Sequence, residues 1–148
     1  MLIKEDSSVW ATGRNDYGQL GDGSATDKME YVQVMSDGAK AVAAGKRHSL
    51  VLKQDGSVWA AGYNNNGQLG DGSRAHSYVF VLAIAAGVKV VAAGAFHSMV
   101  IKHDGSIWAT GSNKYGQFGD GSTKNKKKFV MLAPFRNGVQ MHYSMMLH

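Results

Sequence analysis

Residues 41–62 read AVAAGKRHSLVLKQDGSVWAAG, and residues 90–111 read VVAAGAFHSMVIKHDGSIWATG. The two stretches align without a gap at an offset of 49 residues. Trp10, Trp59 and Trp108 keep that interval, as do Gly13, Gly62 and Gly111, and so does the heptapeptide GQLGDGS, which stands at 18–24 and 67–73 and returns as GQFGDGS at 116–122. Self-similarity at a fixed period of this length is the signature of a repeat architecture. At the front, LIKEDSSVWATG (2–13) matches only the later part of the unit. At the back, NGVQMHYSMMLH overlies AGVKVVAAGAFH once two residues are inserted, placing Gly138 on Gly87 and His148 on His97. The units are approximately 1–38, 39–87 and 88–138, with 139–148 a degenerate start of a further one.

Each unit reads as four short strands. HSLVLK alternates, with His48, Leu50 and Leu52 facing one way and Ser49, Val51 and Lys53 the other. An Asp-Gly turn follows, then SVWAAG, a strong hairpin signal. YVFVLAI (78–84) is β-branched and aromatic enough for a fourth strand. Strands are expected near 48–53, 57–62, 78–84, 88–93, 97–102 and 106–111. Four strands per unit at this period predict propeller blades. A blade cannot bury both faces alone and stacks on its neighbours. The reading is an all-β chain, a partial, open β-propeller of about three four-stranded antiparallel blades, with the tryptophans mostly buried as wedges between them.

Composition narrows the chemistry. The absence of Cys excludes a disulfide framework and Cys-based zinc sites. No apolar run approaches the roughly 18 residues of a membrane-spanning helix. The start, MLIKEDSSVW, has acidic residues where a signal peptide has its apolar core, which favours an intracellular setting. Net charge is +5, of which KNKKK (124–128) supplies four charges, so the body is nearly neutral. GQLGDGS lacks the Lys-Ser/Thr ending of a phosphate loop, and its glycines fall in the wrong order for a dinucleotide fingerprint. Its glycines are read as tight turns packed closely on the next blade.

The candidate chemical groups read as structural. His48 and His97 occupy equivalent positions and are expected to be buried and hydrogen-bonded, not metal ligands. His76, His103 and His142 show no constellation. Asp6, Asp55 and Asp104 sit in hairpin turns, where Asp is favoured on conformational grounds. No spacing suggests a triad or paired carboxylates, so neither catalysis nor a cofactor is expected. STKNKKKF (122–129) differs from its counterparts in the other units, and loops that vary on a constant scaffold carry binding. Lys124, Lys126, Lys127 and Lys128 are therefore candidate contacts for an acidic surface. Without interleaved aromatics, nucleic acid is an improbable ligand for them.

The string AAGKRHSLVLKQDGSVWAAGYNNNGQLGDGS (43–73) resembles the repeats of the regulator of chromosome condensation family, whose pattern runs A-G-x-x-H-S/T, D-G-x-V-W-x-x-G-x-N, G-Q-L-G. The resemblance implies a seven-bladed propeller, of which this chain has about three blades. It also brings in guanine nucleotide exchange on a small GTPase and chromatin binding as activities of a full propeller. The photoreceptor relatives carry GWRHT strings; here GKRHS (45–49) and GAFHS (94–98) lack the Trp. Three blades leave two apolar faces to be covered. The primary expectation is a non-catalytic protein-interaction or scaffold module, an accessory subunit on a larger assembly. A different protein is expected to cover the ends, met by the pliable Met141, Met145 and Met146. The alternative is a fragment of a full propeller acting as an exchange factor or chromatin-binding regulator.

Overall fold

The computed structural model describes residues 1–132, so Met141, Met145 and Met146 lie outside the described residues. Every element in it is a strand: β1 (Leu2–Ile3), β2 (Val9–Gly13), β3 (Lys28–Met35), β4 (Ala39–Ala44), β5 (His48–Lys53), β6 (Val58–Gly62), β7 (Ser77–Ile84), β8 (Val88–Ala93), β9 (His97–Lys102), β10 (Ile107–Gly111) and β11 (Lys126–Met131). They form three antiparallel sheets in the orders β1-β2-β3, β4-β5-β6-β7 and β8-β9-β10-β11. The first sheet has three strands among the described residues, in keeping with a front segment that matches only the later part of the unit, and its short β1 stands at the repeat position of Val51 and Leu52. None of the described residues forms a helix long and apolar enough to cross a membrane.

The Asp-Gly turns set the registers. Gly56 and Gly105 take φ of +82° and +84°, in the left-handed region open to glycine. Asp55 Oδ1 accepts from the Ser57 amide at 2.9 Å and its hydroxyl at 2.5 Å, so the turn carries its own polar partners. His48 then falls opposite Gly62 and Leu52 opposite Val58. In the first unit Ser7 replaces the glycine and still adopts φ 66°.

The period-2 pattern sorts side chains between the seams. Leu50 and Leu52 join Val58, Ala60, Leu69, Val88 and Val100 in the largest buried cluster, between the second and third blades. Val51, on the opposite face of β5, packs with Val9 and Ala39 at the seam with the first blade. Both faces of the central blade are thus core, as expected for a stacked sheet.

The tryptophans lie at the outer margin of the seams. Trp10, Trp59 and Trp108 are half-buried, and Trp108 packs against the cluster between the second and third blades. Each indole Nε1–H donates to a turn serine: Trp10 to Ser8 at 2.9 Å, Trp59 to Ser57 at 3.0 Å and Trp108 to Ser106 at 2.8 Å. A lysine from the neighbouring chain segment lies over each ring, with Lys4, Lys53 and Lys102 at 3.7, 4.7 and 3.9 Å from the centroids. The indole must reach the hairpin turn at the sheet rim to satisfy its N–H, which keeps one ring face near solvent. The aliphatic residues of β5 and β6 fill the centre of the seam. Leu50→Ala is therefore expected to cost about 2–5 kcal/mol, and Trp59→Ala less, in urea unfolding. Equal losses would restore the tryptophan as the wedge.

Candidate functional site

The first two glycine heptapeptides each join one blade to the next. Gly23 N–H donates to Tyr78 O at 2.8 Å, and Gly72 N–H to Lys127 O at 2.8 Å. Asp22 bridges Val79, and Asp71 bridges Lys128, both antiparallel. Each loop therefore extends the sheet of the following blade at its outer strand. A Cβ on Gly18 or Gly67 would sit 2.5 Å from the Cα of Tyr78 or Lys127, and one on Gly21 or Gly70 would strike the ring of Phe80 or Phe129. Positive φ and backbone contact together require glycine there.

One buried asparagine per unit holds the loop in shape. Asn64 is fully buried. Its Nδ2 donates to Asp71 Oδ1 at 3.3 Å, Ser73 O at 3.1 Å, Ser73 Oγ at 3.3 Å and Ala75 O at 2.9 Å, while its Oδ1 accepts from Leu69 N at 3.0 Å. Asn15 and Asn113 do the same work in the other units. The asparagine's main-chain N–H donates in turn to Asp27 Oδ1, His76 Nδ1 or Asn125 Oδ1, three residues spaced by 49. His76, read from sequence as without a constellation, thus has a place: it closes its loop and stacks on Tyr63 at 4.8 Å.

Nearer the inner strands, a polar relay crosses the second seam. Ser98 Oγ lies 2.9 Å from His48 Nε2 and donates to Gln68 O at 2.7 Å. The single hydroxyl proton is committed to Gln68, so His48 donates through Nε2–H and its Nδ1 carries the lone pair. That Nδ1 has no well-formed partner. Burial, and secondarily the nearby His97, push the His48 pKa down to about 4, opposed only weakly by the His97 main chain. The ring also covers Gly45, where a Cβ would collide with its Cε1, and His97 covers Gly94 likewise. These histidines are packing groups, and no three His, Cys, Asp or Glu side chains converge as a metal site among the described residues. The Asp55 carboxyl is held below its usual range by the hydroxyl of Ser57, and Asp104 by that of Ser106, as turn residues.

The lysine run divides. Lys124 lies in the loop, whereas Lys126, Lys127 and Lys128 begin β11, with their main chain gripped by the second glycine loop. The expectation of one free loop is corrected to that extent, because the outer strand of a blade must start there to meet the loop. Lys124, Lys127 and Lys128 are exposed. With Lys126 and Arg74 they line two adjoining shallow hollows on the seam between the second and third blades. The ion pairs among the described residues, Arg14–Asp16 and Lys28–Asp22, involve none of these five cations. A second feature escaped the sequence: Arg47 lies over Tyr17 at 5.0 Å and Tyr63 at 6.0 Å, with Tyr17 and Tyr63 edge to face at 4.9 Å. Arg47 Nη1 donates to the Tyr17 hydroxyl at 3.3 Å.

Two outcomes are expected. Asn64→Ala strands several buried loop groups, each costing about 1–3 kcal/mol, and should lower the urea midpoint at least as much as Leu50→Ala. For His48, the folded pKa of about 4 lies below the unfolded value of 6.5, so the unfolded chain binds more protons between the two. Stability is then full above about pH 6.5 and falls as pH drops toward 4, by about 3 kcal/mol in all. Unfolding of the wild type and His48→Gln across this window should show a shallower slope in the variant.

The geometry matches a known repeat. Two family models, both described as the Regulator of chromosome condensation (RCC1) repeat, match residues 39–68 and 88–117, and residues 6–52 and 55–101. A search of curated proteins finds no match. Among solved structures, human WBSCR16 is similar with a TM-score of 0.72 and 24% identity over 84% of this chain and 34% of its own. Prp20p from Saccharomyces cerevisiae, described with its binding properties to Gsp1p and histones, gives 0.75 and 21% over 89% of this chain and 35% of its own. Yeast RCC1 (Prp20) with bound Kap60 gives 0.72 and 20% over 89% of this chain and 34% of its own. The chain thus spans about a third of these structures, and the likeness is one of fold. Matched by repeat models over more than half its length, and built of the same sheets, the chain belongs to the regulator of chromosome condensation (RCC1) repeat family.

Proposed function

We propose that this chain is a non-catalytic protein-interaction module, an accessory subunit on a larger assembly, and that the basic seam between its second and third blades receives an acidic surface of a protein partner. The observation that carries this reading is the grouping of Arg74, Lys124, Lys126, Lys127 and Lys128 around two open hollows with no ion pair to any described carboxylate. Cations left unpaired on a rigid frame attract and orient a partner of opposite charge. Because the main chain of Lys126 to Lys128 is tied into the seam, these charges are presented without the ordering cost of a free loop. The family's propeller fold binds proteins, which agrees with this reading.

The alternative is a piece of a longer propeller that regulates a small GTPase or binds chromatin. Its support is the fold shared with Prp20p, at 21% identity.

The test uses the whole chain against an Asp/Glu-rich peptide at physiological salt, followed by fluorescence anisotropy, with a DNA duplex in parallel. Peptide binding should weaken with salt and by about fivefold in the Lys124→Glu/Lys127→Glu variant, with its melting temperature unchanged. Tighter binding of the duplex than of the peptide would overturn the acidic-protein reading. Acceleration of nucleotide release from a small GTPase by the chain would favour the alternative.

A further inference from the structure

The seam between the first and second blades holds three rings in mutual contact. Tyr17 and Tyr63 pack edge to face at 4.9 Å, Tyr17 and His76 at 5.2 Å, and Tyr63 stacks on His76 at 4.8 Å. One repeat later, in the seam between the second and third blades, the same three positions are Asn66, Ser112 and Asn125. The place the rings fill in the first seam is here a hollow of about 610 Å³, lined by these three residues together with Arg74, Lys114 and Lys124. Those cations stand at the repeat positions of Ala25, Asn65 and Ala75. Six positions thus change together, from rings and neutral side chains to small polar side chains and cations.

Hydrogen bonds fix the polarity of the hollow. Asn125 Oδ1 accepts from the Asn113 main-chain N–H at 2.8 Å, so Asn125 Nδ2 is the atom that donates to Asn66 Oδ1, at 3.3 Å. The free end of Asn66 is therefore its Nδ2, a donor. Neither that amide group nor the Ser112 hydroxyl has a partner among the described residues. Arg74, Lys114 and Lys124 pair with no described carboxylate, and residues 133–148 contain no Asp or Glu. The wall of the hollow holds cations and hydrogen-bond donors and no acidic side chain.

We propose that this hollow receives the phosphate of a phosphorylated serine or threonine on a protein partner. A phosphate monoester brings three acceptor oxygens and about 1.5 to 2 negative charges, which three cations and two neutral donors match in number. A carboxylate brings two oxygens and one charge and leaves part of that set unused. A nucleic-acid phosphate is a diester with a single charge, and proteins that grip its strand stack bases on aromatic side chains, the groups this seam has exchanged for polar ones. The inference rests on the reading of the basic seam as a partner contact and deepens it, naming the group that one of the two hollows recognises.

The experiment is fluorescence anisotropy of the whole chain with one short, otherwise neutral peptide carrying phosphoserine, glutamate or serine at its centre. The phosphoserine form is expected to bind about tenfold tighter than the glutamate form, and inorganic phosphate to displace it. Lys114→Gln should weaken that binding by about fivefold. Ser112→Tyr, which installs the ring found at this position in the first seam, should weaken it as much. Lys114 is exposed, so its substitution tests the site even where Ser112→Tyr lowers the melting temperature. Both variants should keep most of their affinity for the Asp/Glu-rich peptide, since Lys126, Lys127 and Lys128 line the adjoining hollow. Equal binding of the phosphoserine and glutamate forms, or phosphopeptide binding indifferent to both substitutions, would overturn the phosphate site and leave the acidic-partner reading standing. Tighter binding of a DNA duplex or of phosphoinositide vesicles than of the phosphopeptide would also overturn it. Binding of the phosphopeptide without binding of the Asp/Glu-rich peptide would support the phosphate site and remove the acidic surface alone.

Discussion

A loop of seven residues, three of them polar or charged, is pressed between two β-sheets, and its amides and carbonyls must find partners there or the blades cannot stack. One asparagine side chain per unit meets that demand. Asn15, Asn64 and Asn113 are fully buried; each side chain bonds its own loop, and those of Asn15 and Asn64 also bond the segment that leads to the outer strand. With the loop fixed from within, its outward edge is free to pair with the next blade, as Gly23 does with Tyr78 and Gly72 with Lys127. Seam packing follows from that placement. Leu69, carried by the loop, enters the core between Leu50 and Val100, and its amide is held by Asn64.

The inner part of each seam uses a different device. Ser49 donates to Gln19 O at 2.6 Å and Ser98 to Gln68 O at 2.7 Å, so the serines that follow His48 and His97 tie their strands to the preceding glycine loop. Gly62 and Gly111 admit this approach, since a Cβ on either would come within 3.1 Å of the loop and the strand start together. The glycine of Ala-Ala-Gly leaves room for the imidazole three residues on. Much of the repeated alphabet is thus a record of backbone meeting backbone, and glycine is its most frequent letter for that reason.

The strands were legible because their signals are local. Alternation in HSLVLK and the Asp-Gly turn specify a hairpin within about a dozen residues, and β5, β6, β8, β9 and β10 stand within a residue of where they are expected. The size of the tryptophans pointed to burial, but not to the serine partner at the turn that satisfies each indole N–H and sets one ring edge at the rim. The asparagines were overlooked as loop residues, although their spacing of 49 carried the signal. His76 looked solitary because Asp27 and Asn125, its counterparts, differ from it in chemistry and share only an acceptor atom aimed at the same amide. The Arg47–Tyr17–Tyr63 cluster joins two units and has no periodic trace, since Arg14, Tyr63 and Ser112 occupy one repeat position and Arg47 and Phe96 another.

Where the units differ is itself ordered. The buried asparagine, the glycines and the turn aspartates recur, while variation gathers at the outer strand: Glu30, Val79 and Lys128 at one repeat position, and Tyr31, Phe80 and Phe129 at the next. At Val79 and Lys128 the first of these positions faces the bridging aspartate of the preceding loop, and at Phe80 and Phe129 the second lies against its glycine. The glycine position keeps an aromatic ring, because a flat group is what a loop without Cβ atoms can cover. The aspartate position changes charge from unit to unit, and a change of charge opposite a constant carboxylate alters the strength of a seam without altering its shape. The two occupied loops, alike in geometry, thus meet Val79 in one seam and Lys128 in the other, and a nearly uniform repeat sets the strength of each seam through a single side chain.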